Sequence, residues 1–121
     1  MTVPARHHSA DAGRRAEALA ATHLERHGLA IVARNFRRRF GELDLIARDG
    51  ETLVFVEVRL RSREDYGGAA ASITPAKRSR LTKAAELYLA TLTRCPPCRF
   101  DAILFSSVDP PRFEWLRNVI E

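Results

Sequence analysis

The dipeptide Asp49-Gly50 constrains this 121-residue chain more than any other feature. A two-residue β-turn needs positive φ, which Asp-Gly accepts at little cost, and alternating apolar sequence flanks it on both sides. The spacing predicts two antiparallel strands, over 42–48 and 51–60. In the second strand Val54, Val56, Val58 and Leu60 make an unbroken apolar face, whereas Leu53, Phe55, Glu57, Arg59 and Arg61 share the other. That other face starts apolar and ends charged.

With Asp49-Gly50 as the loop, the register is fixed: Arg48 faces Glu51, Asp44 faces Phe55 and Glu42 faces Glu57. Glu42, Asp44 and Glu57 then lie on one face. Like charges across a sheet repel, so three carboxylates at the end of an apolar hairpin call for a compensating cation, either a metal ion or an arginine. Arg59, Arg61 and the upstream arginines neutralising a solvated sheet end is the plainer alternative. Against it stands the wholly apolar opposite face, which marks a central, covered strand.

The length predicts a single domain over 1–121, with 1–10 flexible, and leaves room for a real core. A net charge of +5 and a pI near 10.0 point to a polyanionic partner, nucleic acid before an anionic membrane surface. No apolar run approaches the length of a bilayer span, and the N-terminal residues lack the hydrophobic stretch of a signal peptide, so a cytoplasmic protein is expected. Cys95 and Cys98 form a C-P-P-C pair between a helix and a strand. That placement fits neither a redox dithiol at a helix start nor a zinc site lacking a second ligand pair, and it reads as a proline-rich turn.

Along the chain, Asp11 to His27 reads as a helix with Ala16, Leu19, Ala20, His23, Leu24 and His27 on one stripe and Gly28 as its left-handed cap. Glu17 sits at the edge of that stripe, where pairing with Arg14 or Arg15 at the surface is the simpler reading. A strand from Leu29 runs into R-N-F-R-R-R-F, where Phe36 and Phe40 flank Arg37, Arg38 and Arg39. Arginines beside aromatics suit phosphates and bases, although a charge run also suits a solvated face. Ser62 to Ser72, with Tyr66, reads as a flap-like loop. Thr74 and Pro75 then open the clearest helix, whose stripe is Leu81, Ala84, Ala85, Tyr88, Leu89 and Leu92. Lys77 lies one turn before Leu81, placed to snorkel or to reach an anion at the sheet. Arg99 to Ser106 and Phe113 to Ile120 read as the last strands, with Trp115 in the core. The order is α-β-β-β-α-β-β, an α/β fold with a mixed central sheet flanked by helices.

An acidic residue on one strand followed by Glu-x-basic on its neighbour is what a hard ion such as Mg²⁺ needs when it also binds a substrate phosphate. G-E-L-D-L-I-A followed by L-V-F-V-E-V-R-L-R resembles the YraN family of uncharacterised, endonuclease-like bacterial proteins. That family in turn resembles the archaeal Holliday-junction resolvases of the PD-(D/E)XK superfamily. The resemblance extends to Gly13, Glu17 and Ala20, to Asn35 and Arg37, and to Lys77, Tyr88 and the R-F-D of Arg99 to Asp101. It implies a restriction-endonuclease-like fold and Mg²⁺ (or Mn²⁺) held by Asp44, Glu57 and the Val58 carbonyl. It also gives Glu17 the place of the first-helix acid, against the surface reading. Arg59 stands where the superfamily has lysine. A guanidinium cannot accept a proton, but it can bind phosphate or stabilise charge.

The leading expectation is a metal-dependent endonuclease acting on DNA, on branched or structured forms, as a homodimer. Its catalytic residues would be Glu17, Asp44, Glu57 and Arg59, with Arg37, Arg38, Arg39, Arg61 and Lys77 contacting nucleic acid. The alternatives are a nucleic-acid-binding protein of the same fold with catalysis lost at Arg59, and an interaction module that uses its basic surface against an acidic protein.

Overall fold

The computed structural model describes residues 5–60 and 74–120. Arg61, the expected flap 62–72 and Tyr66 lie outside the described residues. The order is α1 (Ala5–Arg26), β1 (Ala30–Arg38), β2 (Gly41–Asp49), β3 (Thr52–Leu60), α2 (Pro75–Leu89), β4 (Cys98–Val108) and β5 (Pro111–Leu116). This is the order read from the sequence. The five strands form one mixed sheet in the order β1-β2-β3-β4-β5, antiparallel except for the parallel pair β3–β4. β3 is central, as its covered face required. Parallel neighbours need a crossover, and α2 lies in the β3-to-β4 connection.

One helix covers each face. α1 buries Ala16, Ala20, Ala21 and Leu24 against Leu45, Ala47, Val54, Val56, Ile103 and Phe105. α2 buries Leu81, Ala84 and Ala85 against Leu43, Ile46, Leu53 and Phe55. α1 begins at Ala5 rather than near Asp11, and it ends as expected on Gly28 at φ +88°. Leu29 N–H donates to Leu24 C=O (3.1 Å) and Gly28 N–H to Glu25 C=O (3.0 Å), while Leu24 and Leu29 are both buried. This is a Schellman closure with its apolar contact. Thr74 caps α2, its Oγ1 accepting from Lys77 N–H at 3.2 Å, with Pro75 in the first turn. Leu92 falls past the end of α2 and is exposed.

Two corrections concern strand details. The hairpin loop is Gly50-Glu51, not Asp49-Gly50, since Asp49 pairs with Thr52, Arg48 with Leu53 and Ile46 with Phe55. Gly50 at φ +61° takes the first loop position, where a type II′ turn demands glycine, and Asp49 becomes the last ladder residue. The final strand stops at Leu116 instead of reaching Ile120. A buried carboxylate explains that stop. Asp101, 1% exposed, accepts from Arg99 Nε, Trp115 Nε1 (3.0 Å) and Asn118 N–H (2.9 Å), which turns the chain at Asn118 (φ +55°) so that Ile120 packs on the α2-side core.

Gly41 sets how closely α2 lies on β2. A Cβ at this position would collide with the Arg80 carbonyl and press on Ala84 N. Backbone cannot step aside as a side-chain tip can, so Gly41→Ala should destabilise the fold by about 1–3 kcal/mol. Gly13, with open space around its Cβ position, is the contrast. Gly13→Ala in α1 should leave stability equal or raised by about 0.5–1 kcal/mol. Urea unfolding of the two variants checks this, and equal effects would contradict the close approach at Gly41.

Candidate functional site

The site grows from a place where two strands part. β2 and β3 pair as far as Leu45↔Val56, although β2 extends back to Gly41 and β3 forward to Leu60. Beyond that rung the ladder bond is replaced by a side chain: Val58 N–H donates to Asp44 Oδ2 at 2.8 Å. Side-chain alternation in β2 breaks at the same point, since Leu43 packs on the α2-side core and Leu45 on the α1-side core. β1 breaks with it. Asn35, on the rung between Arg34↔Leu45 and Phe36↔Leu43, has φ +51°, a left-handed conformation that asparagine tolerates better than most residues. Asp44 is thereby turned into the gap between the strands.

Burial dominates the electrostatics of Asp44. It pushes the pKa from 3.8 up to about 7, the Val58 hydrogen bond opposes the rise, and the charges of Glu17, Glu57 and Glu42 add to it. The structure therefore couples Glu17, Asp44 and Glu57, although they come from α1, β2 and β3. The expectation that Glu42, Asp44 and Glu57 share one face holds for Glu42 and Glu57, because the shifted register moves partners by two residues and keeps the faces, and is corrected only at Asp44, where β2 alternation breaks. Glu42 and Glu57 line a small cavity of about 110 Å³ with Lys77, Arg80 and Leu81 of α2. Glu17 lines a separate groove of about 600 Å³ with Gly13, Arg14, Asn35 and Arg37. Asp44, in the strand gap, feels the charges of both.

Glu57 is also raised above the ordinary glutamate range, first by burial, with Arg59 pulling the other way, Glu42 adding to the rise and Arg80 opposing it. Its Oε2 is buried and meets no hydrogen-bond donor among the described residues. A buried anionic oxygen without a partner is costly, and so is a carboxylate held protonated near neutral pH. A divalent cation beside Asp44 and Glu57 would relieve both costs. The donors are all oxygen, which suits a hard ion that keeps most of its water. No three His, Cys, Asp or Glu side chains among the described residues stand together as a ready-made cage.

The basic residues divide. Arg37 lines the α1-side groove and pairs with Glu42 at 3.7 Å. Arg38 lies over the Phe36 ring at 4.1 Å and donates to the Arg37 carbonyl (2.7 Å), and Arg39 stacks on the exposed Phe40 at 5.1 Å. Phe36 is no free platform, since it packs on the α2-side core edge-on to Tyr88. Lys77 reaches the Glu57 cavity. Arg80, in sequence only one more basic residue beside Lys77, lies 3.5 Å from Glu42 and opposes the rise at Glu57. Its i+3 spacing from Lys77 sets the two on neighbouring positions of one helix face. Trp115 packs against the core as expected, with Arg117 over its ring at 4.1 Å. Cys95, in the link from α2 to β4, and Cys98, the first residue of β4, are exposed free thiols. No helix among the described residues is long and apolar enough to cross a membrane.

Comparison with known proteins adds a family. The uncharacterised protein family UPF0102 matches residues 16–105, a span that contains Glu17, Asp44, Glu57 and Lys77. A UPF0102 protein of Dechloromonas aromatica is 53% identical over 118 residues, covering 98% of this chain and 95% of its own length. One from Cupriavidus taiwanensis is 55% identical over 111 residues (90% and 82%), and one from Nitrosospira multiformis 50% identical over 109 (90% and 92%).

The raised Asp44 fixes the sign of a pH effect. Between about pH 4 and about pH 7 the folded chain holds a proton that the unfolded chain has released, so stability falls as pH rises through this window. Above it the full cost of ionising Asp44 is present, on the order of 3–5 kcal/mol. Asp44→Asn keeps an acceptor for Val58 N–H and removes the charge. Its unfolding midpoint should exceed that of the wild type at pH 8, with the difference fading toward pH 4. A pH-independent difference would contradict the burial of Asp44.

Proposed function

The chain belongs to the uncharacterised protein family UPF0102, and from that premise we propose that it is a metal-dependent endonuclease of restriction-endonuclease-like fold that hydrolyses phosphodiester bonds in branched or structured DNA. The observation that carries this reading is the pairing of Asp44, turned into a strand gap on the Val58 N–H, with Glu57 and its unsatisfied Oε2. Asp44, Glu57 and the Val58 carbonyl would hold Mg²⁺ or Mn²⁺, which supplies a Lewis acid and an activated water when bound. Glu17 would orient water or metal hydration from the α1 side. Arg59 follows Glu57 by two residues on one strand and would stabilise charge on the phosphate without accepting a proton. Arg37 and Lys77, with Arg38, Arg39 and Arg61, would supply the phosphate contacts. The net charge of +5 supports a polyanionic partner.

One observation favours a second reading, a nucleic-acid-binding protein without catalysis. Arg59 already opposes the rise in the Glu57 pKa, as a built-in cation in place of a metal would. Metal titration separates the two. On the endonuclease reading Asp44 would have to be ionised to hold Mg²⁺ or Mn²⁺, so the ion should raise the wild-type unfolding midpoint more at pH 8 than at pH 6, and should not do so in Asp44→Asn. The same ions should promote cleavage of flapped or four-way DNA, with at least a 100-fold loss of rate in Asp44→Ala, consistent with the loss of a major charge-stabilising group. Cleavage untouched by that substitution, or midpoints that ignore the ion, would remove the endonuclease reading.

A further inference from the structure

Glu42 has no role in the reading above, yet it is the most heavily paired acid of the cluster. Its Oε2 lies 3.7 Å from Arg37 Nε on β1 and its Oε1 lies 3.5 Å from Arg80 Nη2 on α2. The two arginines come from different elements and converge on one carboxylate. All three side chains are well exposed, at 49% for Glu42, 68% for Arg37 and 59% for Arg80. Pairs at such distances and exposures are weak, so the clamp is easily opened. Its position is also distinctive. Arg37 faces the groove that contains Glu17, while Glu42 and Arg80 face the cavity that contains Glu57.

We propose that Arg37 and Arg80 form a phosphate seat that the Glu42 carboxylate occupies as a resident anion until a phosphodiester displaces it. A carboxylate and a phosphate present similar oxygen pairs to a guanidinium, and arginine favours either. Glu42 then acts as a guard on the site proposed above, on which this inference rests. It keeps two exposed cations satisfied in the free protein and sets the threshold that an incoming anion must exceed. A structural role alone would predict only a small loss of stability on its removal. The seat predicts a gain in binding.

The experiment measures affinity of the full chain for fluorescein-labelled duplex and four-way DNA by anisotropy, in EDTA so that metal plays no part, over a range of salt. Glu42→Gln should bind about threefold or more tightly than the wild type, and its log–log salt dependence should be steeper by about one, the mark of one added phosphate contact. Adding Arg37→Ala and Arg80→Ala to Glu42→Gln should abolish the gain. Glu25→Gln, which removes an exposed charge near the end of α1, controls for net charge. Unchanged or weaker binding by a folded Glu42→Gln variant, or an equal gain in Glu25→Gln, overturns the seat. Metal-dependent cleavage that persists alongside that result leaves the endonuclease reading intact, and failure of every variant to bind DNA in EDTA overturns the seat alone, since on the endonuclease reading the ion would itself help hold the phosphate.

Discussion

The hydrogen bond from Val58 N–H to Asp44 is the interaction on which the arrangement of this protein depends. A backbone donor in the centre of a sheet needs an acceptor, and the usual one is the carbonyl of the neighbouring strand. Here β2 has left β3 two residues earlier, so a side chain supplies the acceptor. The exchange has two effects. It lets the strands part without an orphaned amide, and it draws a carboxylate into a place where burial raises its pKa to about 7. The distortion spreads to β1, where Asn35 adopts a left-handed conformation on the same rung. A uniformly paired sheet would be the simpler structure for these residues. Departures of this kind concentrate at functional sites.

The two helices hold that departure from opposite sides. α1 brings Glu17 by packing small residues, Ala16, Ala20 and Ala21, onto the sheet. α2 approaches through Gly41, whose missing Cβ admits the Arg80 carbonyl, and this approach delivers Lys77 and Arg80 to Glu57 and Glu42. The acids and bases of the site, with Arg37 from β1, thus come from five elements, fixed by packing rather than by a loop. Glu17 and Glu57 stay in separate recesses, and only the turned Asp44 feels both.

Much of this was legible in the sequence because it rests on local chemistry. Gly28, Thr74 and Pro75 declare helix ends through their own backbone preferences, and the apolar face of 54–60 marks β3 as central before any partner is known. The register was not legible, because Asp-Gly and Gly-Glu both furnish a residue with positive φ and differ only in which turn position takes the glycine. Shifting the loop by one residue moves every cross-strand partner by two positions and so keeps each residue on its face; Asp44 is turned away from Glu42 and Glu57 by the break in β2 alternation, which no sequence pattern marks. The early stop of β5 depends on Asp101, whose partners Trp115 and Asn118 are distant in sequence. Arg80 looked like one basic residue among several, and only the docking angle of α2 singles it out.

Arg59 is where local chemistry and site geometry pull in different directions. Its charge is fixed, so unlike a lysine it cannot be neutralised by burial near Glu57, and it cannot take a proton from water. The lowering it exerts on Glu57 is outweighed by desolvation, since Glu57 remains raised overall. Desolvation therefore outweighs the guanidinium at this position, and the buried Oε2 of Glu57 meets no donor among the described residues. Under the proposed reading the proton chemistry then moves to Asp44, whose pKa near neutrality makes it the group that gives up a proton when a cation enters, while Arg59 retains the single task of meeting charge on the phosphate.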